Sequence, residues 1–223
     1  MRGTFGEIRS AVQERPSATS WHALYEAIAE VDITQFAEEL LPYVAENLKN
    51  WPDELRVCPQ DWLDLLLNAD LVHPGLVLVR RLWRPHLELG DLKKIANTSE
   101  FSQVTRFGLV SNGLGPKAVR LLLDGPALQS VEFLDLSYNR IGDKGVLEFC
   151  RNKKAARLRH LSLDNNGITD EGAMMLANCE HLEGLERLTL FGNLLGSNGH
   201  DAIRTSGHLS PAVRREWAFA DEL

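Results

Sequence analysis

The feature that most constrains this chain is a pattern that returns every 27 residues. Asn112, Asn139, Asn166 and Asn193 stand at that interval, and the apolar positions around them keep the same register. Val104, Val131, Leu158 and Leu185 form one column, and Phe107, Leu134, Leu161 and Leu188 the next. Leu109, Leu136, Leu163, Leu190 and then Leu114, Ile141, Ile168, Leu195 complete the frame. Self-similarity at this period implies a stack of small supersecondary units, each of which cannot bury its apolar face without a neighbour.

Inside each unit the period changes. The first part reads L-x-x-L-x-L-x-x-N-x-L and alternates as a short strand does. A second apolar run follows a turn, over 116–123, 143–149, 170–177 and 197–203, and has helical spacing. Each unit is therefore read as one strand and one helix. The Asn column falls where the chain leaves its strand and turns inward, and a carboxamide both donates and accepts, so it can satisfy backbone groups buried there. Asp143, Asp170 and Ser197 stand where a helix cap is wanted.

Leu134-Asp-Leu136-Ser-Tyr-Asn139-Arg-Ile141 and the ITDEGA run from Ile168 to Ala173 resemble leucine-rich repeats of the ribonuclease-inhibitor-like kind, over about residues 101–205. The motif is specific as to fold and unspecific as to activity. The resemblance implies an α/β leucine-rich repeat solenoid, with a short curved parallel sheet on the concave side and helices on the convex side. Four clear units occupy 101–223, with residues 205–223 as a C-terminal helical cap. SPAVRREW supplies its helix, with Val213 and Trp217 closing the last apolar face, and AFADEL is expected to fray.

Residues 1–100 are expected to form an α-helical N-terminal cap domain. Trp21, Leu24, Tyr25 and Ile28 mark one amphipathic helix capped by Ser20, and Asp32 with Gln35 has the spacing of a capping box for a second. Pro59 suits the first residue of a third, with Trp62, Leu65 and Leu66 on its buried side. The stretch 77–100 reads as either a degenerate repeat or a helical cap. Counting back 27 puts Val77, Leu82, Leu87 and Ile95 on repeat columns, but Arg80 and Pro85 then fall on an apolar column and the Asn column. Trp21, Trp51, Trp62 and Trp83 are assigned to the core of this helical part.

Charge and motifs exclude several functions. The net charge is −7, with 10 Lys/Arg against 16 Asp/Glu in residues 1–100 and 14 against 15 in 101–223, a balance that does not favour nucleic acid. Arg151, Lys153, Lys154, Arg157 and Arg159 lie in a connection and carry no interleaved aromatic, so they read as a solvated loop. Three cysteines without a C-x-x-C pair argue against a disulfide framework or a thiolate zinc site, and for reduced thiols in a cytoplasmic protein. No apolar run suits a signal peptide or a membrane span. Nucleotide-binding, zinc-protease and nucleophile-elbow motifs are missing, so no metal, cofactor or catalytic residue is assigned. His160 with Asp135 and Asp164 on neighbouring strands reads as a surface His–Asp hydrogen bond.

The expected function is a non-catalytic module that binds a protein partner through the concave strands. The residues assigned to that face are Arg106, Phe133, Asp135, Tyr138, His160, Asp164, Arg187 and Phe191, in which large aromatics sit among charges of both signs. The alternative is a regulator of a partner enzyme such as a GTPase-activating protein, since a eukaryotic family of those is built on similar repeats. Arg106 or Arg140 would then act on the partner's nucleotide.

Overall fold

The computed structural model describes residues 2–218. Five strands form one parallel sheet in the order β1-β2-β3-β4-β5: β1 Arg81–Trp83, β2 Arg106–Gly108, β3 Phe133–Asp135, β4 His160–Ser162 and β5 Arg187–Thr189. Helices alternate with them: α6 Leu89–Asn97, α7 Pro116–Asp124, α8 Gly142–Arg151, α9 Asp170–Ala177 and α10 Ser197–Arg204. A parallel strand pair requires such a crossover, and here every crossover is one repeat.

The pairing register reproduces the 27-residue interval. Phe133 lies opposite Arg106 and His160, and His160 lies opposite Arg187. Between β1 and β2 the register is different, because Leu82 pairs with Phe107. The first strand is thus 25 residues away from its neighbour, which explains why a 27-residue count misplaced Arg80 and Pro85. Leu82 takes the second apolar column and not the third, and the sheet already begins at Arg81 within the helical leader.

Two ladders of polar side chains run along the stack. Asn139 Oδ1 accepts from the N–H groups of Asn112 and Leu114, and its Nδ2 donates to the carbonyls of Leu109, Leu136 and Ser137. Asn193 accepts from Asn166 N and Ile168 N and donates to Leu163 O and Leu190 O, while Asn166 accepts from Ile141 N and donates to Leu136 O and Asp164 O. The second ladder differs from its sequence assignment. Asp143 does not cap its own helix but takes the N–H and hydroxyl of Thr169 in the next unit, at 2.9 and 2.7 Å. Asp170 likewise takes the N–H groups of Gly196 and Gly199. Each carboxylate therefore sits at the start of the following helix, where orphan donors and the positive end of the dipole favour it.

The leader is helical. Helix α1 spans Arg2–Gln13, a helix that the sequence reading did not assign, and it buries Ile8, Ala11 and Val12. Helix α2, Ala18–Ala29, starts one turn before the expected point: Ser17 is its cap, accepting from Ser20 N at 3.0 Å, while Ser20 Oγ donates to Arg15 O. Asp32 caps α3, Ile33–Gln35, but Gln35 reaches forward to Glu39 and does not close the box. A π-helical turn, Phe36–Leu40, links α3 to α4, Leu41–Asn47. Pro42 lies in the first turn of α4, and the widened turn relieves the clash that its ring would make with a preceding carbonyl. Helix α5, Gln60–Ala69, follows Pro59 and buries Trp62, Leu63, Leu66 and Leu67.

The leader joins the solenoid through the 56–58 segment, which lies along the free edge of β1. Cys58 N donates to Arg81 O, and the N–H groups of Arg80 and Arg81 donate to Arg56 O. The buried Arg56 guanidinium donates to Leu78 O at 2.8 Å and Leu48 O at 3.3 Å, and burial brings its pKa down to about 10. At the other end α11, Pro211–Ala218, buries Val213 and Trp217. The tail from Phe219 onward lies outside the described residues. Among the described residues no helix is long and apolar enough to cross a membrane, and Cys58, Cys150 and Cys179 are free thiols.

Candidate functional site

A three-residue strand presents its first and third side chains on one side and its second on the other. The second residues, Leu82, Phe107, Leu134, Leu161 and Leu188, are buried in the core. The first residues form a row, Arg81, Arg106, Phe133, His160 and Arg187, and the third residues form another, Trp83, Gly108, Asp135, Ser162 and Thr189. These rows floor a groove of about 430 Å³.

Strand spacing brings the first row into contact. Arg106 Cζ lies 3.7 Å from the centroid of the Phe133 ring, and the Phe133 and His160 rings are 4.0 Å apart between centroids. Carboxylates hold the row from outside. Glu54 lies 3.5 Å from Arg106, Glu186 lies 3.7 Å from His160 Nε2, and Glu216 lies 3.3 Å from Arg187 Nε. Desolvation lowers the His160 pKa, and Arg187 and Arg106 add to the shift while Glu186 opposes it. Neutral imidazole is thereby favoured in the stack. The expected His–Asp arrangement is replaced by this one, because both aspartates serve the backbone. Asp135 Oδ1 accepts from Ser137 N and Asp164 Oδ1 from Phe191 N.

Of the residues assigned to this face from sequence, Arg106, Phe133, Asp135, His160, Asp164, Arg187 and Phe191 all line the groove. Tyr138 does not. It sits on the turn after β3 with a left-handed backbone, φ 58°, and is 59% exposed. Its whole column, Ser111, Tyr138, Asn165 and Gly192, has a left-handed backbone, so the chain turns there and this position does not continue the strand face.

Two lining residues, Arg81 and Trp83, escaped the sequence reading. Trp21, Trp51 and Trp62 are core residues as expected, but Trp83 is 47% exposed. Only the 25-residue step of the first unit could have placed it on the sheet. Its indole lies against Gly108, where an added Cβ would come 1.9 Å from Trp83 Cε3. Gly108→Ala is accordingly expected to push the indole off the strand. In an amide correlation spectrum the Trp83 indole signal should move. The Trp21 and Trp217 signals, whose N–H groups donate to Val57 O and Leu188 O, should stay in place.

Among the described residues no group of three or more His, Cys, Asp or Glu side chains is placed to hold a metal ion. The groove offers guanidinium groups, aromatic faces and partly engaged carboxylates. That chemistry suits recognition of a peptide surface.

Strand, turn, asparagine ladder and helix, repeated in a single parallel sheet, define a leucine-rich repeat solenoid. Residues 127–150 and 157–177 match the family described as Leucine Rich repeat. A comparison with curated proteins gives no match.

Proposed function

We propose that the chain is a non-catalytic interaction module that takes a protein partner into the groove over the strands. Solenoids of this kind present an extended sheet face as a binding surface. The observation that carries the reading is the Arg106–Phe133–His160 stack, flanked by Trp83 and by Phe191, which is 67% exposed. Stacked aromatic and arginine side chains within a charged rim have the composition of an interface hot spot. Ion pairs to Glu54 and Glu216 hold Arg106 and Arg187 in place before a partner arrives, which lowers the entropy lost on binding.

The test is capture of a partner on the immobilised protein, followed by titration of that partner against variants. Trp83→Ser, Phe133→Ser and Phe191→Ser combined should weaken binding by about 100-fold or more. Circular dichroism should show the fold unchanged. Tyr138→Ser, outside the groove, should change affinity by less than about threefold. Retained affinity in the triple variant would rule out the groove.

A further inference from the structure

The two ends of the sheet are finished differently. The 56–58 segment pairs with β1, but at the C-terminal end the array stops in mid-pattern. Each of the three interfaces between β2 and β5 joins one unit's N–H groups to three acceptors of the next, spaced i, i+2 and i+4. Leu109 N donates to Asp135 O and Ser111 N to Ser137 O, while Asn112 N and Leu114 N donate to Asn139 Oδ1. Two units on, Leu163 N donates to Thr189 O and Asn165 N to Phe191 O, while Asn166 N and Ile168 N donate to Asn193 Oδ1.

The corresponding donors of the last unit are the N–H groups of Leu190, Gly192, Asn193 and Leu195. Among the described residues none of them meets an acceptor. Leu190 is 3% exposed, which leaves its N–H little room for water. The cap covers only the first half of this edge: Trp217 Nε1 donates to Leu188 O at 3.0 Å, and Glu216 pairs with Arg187. Beside the uncovered half lies an apolar pocket of about 180 Å³ between Leu190, Leu195 and Trp217. Phe191 also lines it and is 67% exposed.

We infer that this end docks an extended segment of another polypeptide, which continues the array as a further unit would. Its main-chain carbonyls at i and i+2 accept from Leu190 and Gly192, its apolar side chain at i+1 enters the pocket, and an Asn at i+4 accepts from Asn193 and Leu195. Open strand edges are used in this way when main-chain bonds supply affinity and side-chain pockets supply specificity. The surface adjoins the groove and shares Phe191 with it, and the segment is specified by the hydrogen-bond pattern of the inner units.

The probe is a synthetic peptide with the chain's own sequence from 131 to 141, VEFLDLSYNRI, which carries the three acceptors at the required spacing. At saturation, hydrogen exchange at Leu190, Gly192, Asn193 and Leu195 should slow by about tenfold or more. Alanine in place of the peptide's asparagine should weaken binding about tenfold, as should Leu195→Lys in the protein. Phe133→Ser in the groove should leave peptide binding unchanged, which separates this site from the proposed function. Unchanged exchange at about 1 mM peptide would overturn the inference. So would amides already protected in the free chain and released when the chain is ended at Ala218, which would make the tail the occupant. A doubled mass by light scattering that Leu195→Lys abolishes would assign the edge to a second copy, and would also overturn it.

Discussion

Asn139→Ala is expected to destabilise the protein by about 3 kcal/mol or more, which for a chain of this size lowers the melting temperature by about 6–12 °C. Asn139 is 7% exposed, and its carboxamide serves five backbone groups in two units. Alanine leaves those groups buried without partners, and each orphan costs about 1–3 kcal/mol less whatever water recovers. The recovery is smallest in the middle of the stack. Asn193→Ala at the open end should therefore cost about half as much, because solvent reaches its half-buried surroundings more easily. Urea denaturation followed by circular dichroism measures both, and equal losses at the two positions would contradict the ladder as the source of the effect.

Gly125→Ala should cost about 3 kcal/mol for an unrelated reason. The backbone at Gly125, φ −71° and ψ 161°, is open to any residue, so conformational freedom is not the issue. An added Cβ would lie 2.1 Å from Ala96 O and 2.7 Å from Ala96 C, at the end of α6. Backbone cannot rotate away as a side chain can, and α6 would have to shift relative to the following unit. Gly90→Ala, in the first turn of the same helix with nothing within 4 Å, should instead stabilise the protein by up to about 1 kcal/mol. A destabilising Gly90→Ala or a neutral Gly125→Ala, measured by the same urea titration, would refute the packing argument.

The structure separates what periodicity could reveal from what it could not. Asn112, Asn139, Asn166 and Asn193, with the apolar columns around them, recur because every unit meets an identical neighbour. One-dimensional repetition therefore encodes their roles directly. The same regularity located Arg106, Phe133, His160 and Arg187 in one row, since a step of 27 residues is one strand spacing across the sheet.

Readings failed where the neighbour differs. Trp83 faces the groove because the first unit is two residues shorter, an interval set by how the leader packs and not by the repeat. Tyr138 lies outside the groove because its column, Ser111, Tyr138, Asn165 and Gly192, turns through a left-handed backbone, and Asp143 and Asp170 accept from N–H groups at the start of the next helix, a contact between units that one unit's sequence does not show.

Residue spacing determined the repeated strand–helix unit and the buried columns, because these arise from contacts between copies of one short pattern, and the resemblance of that pattern to leucine-rich repeats implied the parallel sheet. Tertiary structure decided which aromatic side chains share a groove, why Gly125 tolerates no side chain, and which edge of the sheet is left open. Those properties depend on distances between segments that no fixed interval relates.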